Sequence, residues 1–327
     1  MKRNRAFLIL VVVAVGALTS SYLLRERRAS AAGSLPELVA LAPADSHFLA
    51  YIDISALRDS PLIQRLAAMA PPATADSDYA SFVAATGFDY QRDLDRVVIA
   101  SQQSGSSDQT VAFADGRFNH EKIEQYALRS GKLAHENGRD VYLIPSTTPG
   151  KTVSITFLAH DRIALADGGD LSAAFSPSTV ALDPAVRARL SRVAGAPLFA
   201  MAKTPTGSGT GTGAATGFSA SFQSLRWVTF AVRPDVGALL LSAEGECDRP
   251  DQAQSVAAGL ELLRGLLRNG LTDPKVRGKM PPATAAALDQ MLGSAKVSAD
   301  AARVRLLMTV TPEMLAAGPS TVSPSAH

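Results

Sequence analysis

From Ala6 to Leu24 no residue carries a formal charge, and most are aliphatic. As a helix rising 1.5 Å per residue, this stretch would span roughly 28 Å, close to the hydrocarbon thickness of a bilayer. Lys2, Arg3 and Arg5 precede it, and Arg25, Glu26, Arg27 and Arg28 follow it. The stretch predicts a single-pass anchor, with the lipid bilayer as partner through Ala6 to Leu24. The small surplus of positive charge before it places the N-terminus in the cytoplasm and the bulk of the chain outside it, at the inner or cytoplasmic membrane. Ala29-Ser30-Ala31 offers a small-residue cleavage pattern, so a cleaved signal leading to the periplasm stays open beside the anchor.

Charge has to be counted with that segment set apart. The chain has 32 basic and 30 acidic residues, a net +2. Six of the bases and one acid, Glu26, lie at or before Arg28, which leaves 26 bases against 29 acids and a body near −3. No dense basic patch follows residue 28, which argues against nucleic acid as a partner. The single cysteine, Cys247, excludes an intrachain disulfide. It is expected to be a small buried hydrophobe at a strand end, because nothing nearby in sequence supplies the base that a reactive thiol needs.

The body alternates strand and helix signals. HFLAYIDI (His47–Ile54) reads as a strand, and Ser60-Pro61 starts a helix carrying Leu62, Leu66 and Met69. A helix is expected from Ser77 to Thr86, with Gly87 after its end. Strands Arg96–Ser101 and Gln109–Ala114 flank a polar turn. Asn119 caps a helix that Gly131 closes, with Ile123, Tyr126, Ala127 and Ser130 towards a sheet. Asn137-Gly138 is the strongest hairpin signal in the chain. A second hairpin turns at His160-Asp161. Asp170 and Asp183-Pro184 start two more helices. In the second half, strand Pro197–Lys203 precedes a glycine-rich run and a helix from Phe218 to Leu225. Two strands then meet at Pro234-Asp235. A long helix, about Gln252 to Asn269, follows and ends at Gly270. Its apolar stripe is Val256, Leu260, Leu263 and Leu267, widened by Leu262 and Leu266. A helix after Pro281-Pro282 and strands Ala295–Ala299 and Arg303–Val310 complete the body.

The fold class expected is α+β, with antiparallel sheets covered by amphipathic helices. The order of elements in the two halves admits a tandem duplication of one α+β module, and either one sheet or two. The expected organisation is an anchor or signal at 1–28, a tether at 29–46, a first module at 47–195, a second at 196–317 and a disordered tail at 318–327.

Signatures of chemistry are sparse. Gly211, Gly213 and Gly217 miss the dinucleotide-binding spacing by one residue, and Gly150-Lys151-Thr152 has Pro145 where a phosphate loop needs glycine. The five histidines, His47, His120, His135, His160 and His327, contain no i,i+4 pair. No G-x-S-x-G or S-x-x-K spacing marks a serine hydrolase. Asp89, Asp93 and Asp95 cluster in FDYQRDLD, read as a solvated loop with an Asp cap. Trp227 reads as core or edge packing. No catalytic, cofactor-binding or metal-ligating residue is therefore assigned, and no cofactor.

The stretches DSHFLAYIDISALRDSPLIQRL (Asp45–Leu66), GFDYQRDLDRVVIA (Gly87–Ala100), ADGRFNHEKIEQY (Ala114–Tyr126) and NGRDVYLIP (Asn137–Pro145) resemble N-terminally anchored or exported bacterial proteins of unknown function. The resemblance covers mainly residues 43–175, and weakly the rest, and carries no catalytic or binding residue. It supports the expected fold and location only. The function expected is an extracytoplasmic, membrane-anchored scaffold or binding protein, interacting with an envelope protein or a small molecule. An exported hydrolase with a site assembled from distant strands is the alternative. The balance leans away from an enzyme.

Overall fold

The computed structural model describes residues 36–58, 77–104, 107–146, 151–168, 170–175, 183–204, 223–235, 237–277, 281–312 and 314. Two compact units divide the chain, Met1–Met201 and Ala202–His327. The fold is α+β, built on antiparallel strand pairing with several covering helices.

The first unit begins with a 3-10 turn, Glu37–Leu41, whose Leu38 and Val39 are fully buried. Strand β1 (Phe48–Asp53) runs into the short helix α1 (Ile54–Leu57), capped by the Asp53 carboxylate accepting from the Ala56 amide at 2.8 Å. Helix α2 (Ser77–Thr86) ends with Gly87 at φ +72, a left-handed position that suits glycine. Helix α3 (Tyr90–Asp93) leads into β2 (Leu94–Ser104), then β3 (Ser107–Gly116), helix α4 (His120–Ser130), β4 (Lys132–Glu136), β5 (Arg139–Pro145), β6 (Thr152–Ala159) and β7 (Arg162–Asp167). Helix α5 (Pro184–Val193) and β8 (Leu198–Lys203) follow. The strands of this unit lie in the order β8-β1-β2-β3-β7-β6-β5-β4.

Burial explains why β2 and β3 sit in the middle. Val97, Val98, Ile99 and Ala100 are all buried, and so are their partners Ala114, Phe113, Ala112 and Val111. Such unbroken apolar runs require cover on both faces of the sheet. Ile54 and Leu57 of α1 and Leu38 and Val39 of the 3-10 turn are buried with them. Further along, Ala127 of α4 packs with Tyr142, Ile144 and Ile155, and Tyr126, Val153, Phe157 and Leu165 lie against that cluster. The β4–β5 turn places Asn137 at φ +49 and Gly138 at φ +75, the paired left-handed conformation that the Asn-Gly sequence predicts. At the outer edge, β4 is five residues long and carries Lys132 and Glu136, which blunts it against further strand pairing.

The second unit contains β9 (Leu225–Asp235), β10 (Ala238–Cys247), helix α6 (Pro250–Thr272), the short α7 (Pro274–Arg277), helix α8 (Pro282–Ser294), β11 (Lys296–Asp300) and β12 (Arg303–Val310). Its strands run β11-β12-β10-β9. Cys247 and Val304 from the sheet pack with Ala253 and Val256 of α6, joined by Leu225, Ala257, Leu260 and Val297. Cys247 is thus a buried strand-end residue, as its context predicts, and burial pushes its thiol pKa up.

Several expectations need correction. The polar stretch around Gln102 is strand: Gln102 opposes Gln109 and Gln103 opposes Asp108. Its polar side chains satisfy one another, with Gln102 Nε2 donating to Gln109 Oε1 at 2.8 Å and the Ser101 and Thr110 hydroxyls 2.9 Å apart. Leu225 begins β9 and so does not end a helix. Helix α6 passes through Gly270 to Thr272. Pro274 sets that limit, because the residue before a proline avoids the α region and Asp273 is extended at φ −66, ψ 120. Gly131 is also extended, at φ −106. It is glycine because a Cβ there would come within 2.4 Å of the carbonyl oxygens of Ala127 and Leu143.

The membrane expectation is corrected too. Among the described residues no helix is long and apolar enough to cross a membrane. Helix α6 has the length, but Asp251, Glu261, Arg264 and Arg268 interrupt it. The expected span, Ala6–Leu24, lies outside the described residues. Single-pass topology, the bilayer partner, the inner-membrane and periplasmic placement and the N-in orientation all rested on that span, and are withdrawn. The Ser60-Pro61 helix, the glycine-rich run after Thr204, the helix start at Phe218 and the tail from residue 318 also lie outside the described residues.

Candidate interaction surface

The positions that sequence patterning raises as chemically suggestive turn out to hold the fold together. In FDYQRDLD, Asp89 caps α3 by accepting from the Gln91 amide at 3.0 Å. Asp93 is buried, correcting the solvated-loop reading. It takes two hydrogen bonds from Arg92, at 2.8 and 2.7 Å, accepts from the Asp89 amide at 2.9 Å and lies 3.7 Å from Arg117. The Arg92 hydrogen bonds hold its carboxyl below the usual carboxylate range. Asp95 faces Arg58 at 3.4 Å. The three carboxylates have separate partners and do not converge.

The fold brings two histidines together that are distant in sequence. His120, in the first turn of α4, donates from Nε2 to the His160 carbonyl at 2.8 Å, and the two rings lie 5.4 Å apart. The His120 ring stacks on Phe157 at 3.8 Å, and Phe157 meets the ring of Tyr142 edge-on at 6.3 Å. Burial, with Glu124 beside it, raises the Tyr142 phenol to about 12. Among the described residues no group of three or more His, Cys, Asp or Glu side chains could hold a metal ion. His135 instead pairs with Asp140 at 2.7 Å across the β4–β5 hairpin. Trp227 lies in β9, half-buried, opposite Glu246.

One surface is not explained by the needs of the fold. Helix α6 enters at Pro250, which suits the first helical position. Gln252 accepts from the Arg249 amide at 3.2 Å, fixing the start. Ala253 and Val256 are fully buried, and Leu260 is half-buried against the same cluster. The opposite face then turns apolar as the helix continues: Leu262 and Leu266 are 58% and 51% exposed, while Leu267, 48% exposed, lies on the side of Val256 and Leu260. Leu262 and Leu266, four apart, stand one above the other on the helix surface. Both signs of charge lie alongside. Arg264 pairs with Glu261 at 2.6 Å and donates to the Ala295 carbonyl at 3.2 Å, and Arg268 bonds Asp289 of α8 at 3.0 Å. Periodicity foresees this helix and its leucines, but assigns Leu262, Leu266 and Leu267 to the core-facing stripe. The leucine-rich run is wider than the one face a sheet can cover, and that width is the signal for a second apolar face.

The fold is similar to that of TP0453. Its crystal form III superposes with a TM-score of 0.48 at 12% sequence identity, over 87% of this chain and 98% of that one. Crystal form IV gives 0.46 at 11% identity, over 86% and 95%. The similarity extends over most of this chain, beyond the 43–175 region of the sequence resemblance. It carries no residue role to this chain. No protein-family model matches the sequence, and no curated protein matches it.

Proposed function

We propose that this chain is a binding or scaffold protein without a catalytic site, and that the exposed leucines of α6 form its contact surface. The observation that carries this reading is the pair Leu262 and Leu266, each more than half exposed on a helix whose other face is buried. An exposed leucine alone is ordinary. Two of them four residues apart, on one face of one helix, present apolar surface in the i and i+4 arrangement that partner-binding helices use. The hydrolase alternative has no observation in its favour among the described residues.

A photo-crosslinking amino acid placed at position 262 of the full chain tests the proposal in cells. A control at Asp251, exposed near the start of the same helix, reports non-specific adducts. A discrete adduct from position 262, absent from 251 and lost with Leu266→Ser, is the expected result. The same weak smear from both positions, or no adduct from either, overturns it.

A further inference from the structure

We propose that Asn137 is a site of spontaneous covalent modification, at which its side-chain amide closes onto the Gly138 nitrogen to form a succinimide that water opens to aspartate or isoaspartate.

Asn-Gly occurs at Asn137-Gly138 and again at Asn269-Gly270. Both asparagines are exposed, and the backbone separates them. Gly270 lies inside helix α6, where its N–H belongs to the i→i−4 ladder. A helical side chain is directed back towards the helix start, so the Asn269 amide points away from the Gly270 nitrogen. Asn137 and Gly138 are the central residues of the β4–β5 turn. Glu136 and Arg139 close the ladder, so the Gly138 amide falls outside it. Among the described residues neither that amide nor the Asn137 carboxamide has a hydrogen bond.

Space is the second condition. The Gly138 nitrogen has to approach Asn137 Cγ from above the plane of the side-chain amide, and a side chain at 138 would crowd that path. Gly138 has none, and a Cβ built there would meet nothing within 4 Å. The turn itself opposes the reaction. Asn137 at φ +49 has to rotate before its Cγ reaches the next nitrogen. That opening costs little here, because β4 is the outermost strand, is five residues long and contains no buried residue.

The step balances with water as the only co-reactant. The Gly138 nitrogen bonds to Asn137 Cγ, the Cγ–Nδ2 bond breaks, and Nδ2 leaves as ammonia carrying the amide proton. Water then adds to either ring carbonyl. Opening on one side leaves aspartate at 137. Opening on the other leaves isoaspartate, whose main chain is lengthened by the side-chain methylene. A two-residue loop fixes the register of a hairpin, so the longer link no longer matches the pairing of Lys132–Glu136 with Arg139–Leu143. The isoaspartate form therefore releases β4 and uncovers the outer edge of β5.

The purified full chain is aged at neutral pH, either folded or in concentrated urea, and digested with trypsin. The peptides Leu133–Arg139 and Asn269–Lys275 each contain a single asparagine and no glutamine. In the folded chain, Leu133–Arg139 is expected to gain the mass of OH for NH2 several-fold faster than Asn269–Lys275, and to become a substrate for isoaspartyl methylation. In urea, where no helix protects Asn269, the two peptides are expected to convert at similar rates. Asn137→Gly, which keeps a sequence that this turn accepts, is expected to abolish the early isoaspartate signal of the whole chain. Equal rates for the two peptides in the folded chain, including no conversion of either, overturn the proposal. So does early isoaspartate that persists in Asn137→Gly. The isoaspartate form, separated by ion exchange, is expected to exchange the amide hydrogens of Lys132–Glu136 faster than the parent. Unchanged exchange there overturns the release of β4.

Discussion

Arg162 holds Asp115 with both ends of its guanidinium, Nε to Oδ1 at 2.7 Å and Nη2 to Oδ2 at 3.3 Å, from directly opposed positions on β7 and β3. The two side chains are only 18% and 13% exposed. The same guanidinium reaches Glu37 at 3.0 Å, beside the buried Leu38 and Val39 of the 3-10 turn. One cation thus ties the start of the described chain to the middle of the sheet.

Removing one member of that pair strands the other in a place with little water. Asp115→Ala is expected to destabilise the first unit by about 3 kcal/mol, since breaking a buried pair costs more than the pair itself contributes. Urea unfolding followed by circular dichroism checks this. A change within about 0.5 kcal/mol would mean that Glu37 alone satisfies Arg162.

Asp93 gives a pH dependence of known sign. Its folded pKa lies below the unfolded value because Arg92 hydrogen-bonds the carboxylate. Its contribution is fully present above the unfolded pKa, near 4, and is lost as pH falls through the folded one. Asp93→Asn is therefore expected to lower stability at pH 7 and to flatten the loss of stability below pH 4. Urea midpoints measured from pH 7 to pH 2 test this. Parallel curves for parent and variant would contradict it.

Two glycines separate two physical causes. At Gly131 a Cβ would press on two backbone oxygens at 2.4 Å, one from Ala127 and one from Leu143. Neither can move without shifting α4 or β5, so Gly131→Ala is expected to cost about 1–3 kcal/mol or more. At Gly138 a Cβ meets nothing within 4 Å, but φ is +75. Gly138→Ala is expected to cost about 1–2 kcal/mol through backbone strain alone. The discriminating variant is Asn at each site, compared by thermal unfolding. Asn tolerates a left-handed backbone, so it should be milder than Ala at 138 and no better than Ala at 131.

Much of the fold is written in local rules. The Asn137-Gly138 turn, the Asn119 and Asp183 caps, and the helix limits at Ser77 and Thr86 depend on a few neighbouring residues, and the structure has them where the sequence places them. What failed depends on partners far away in sequence. The run from Gln102 looks like a turn because it is polar, yet cross-strand pairing satisfies it. Asp93 looks solvated because it is acidic, yet Arg92 and Arg117 allow its burial. The candidate surface was half legible. The leucines of α6 stand out in sequence, but a 3.6-residue period cannot say which of two adjacent faces meets the sheet when both are apolar. Cys247, Val304 and Val297 settle that by packing on the Ala253–Val256–Leu260 side.

The central claim is that Leu262 and Leu266 serve contact rather than core. Urea unfolding tests it most directly, with Leu262→Ser/Leu266→Ser set against Val256→Ala. The double serine variant is predicted to stay within about 0.5 kcal/mol of the parent, as surface substitutions do. Val256→Ala, at a fully buried position, is predicted to lose at least about 1 kcal/mol. A double variant that loses as much as Val256→Ala would place the two leucines in the core and contradict the account.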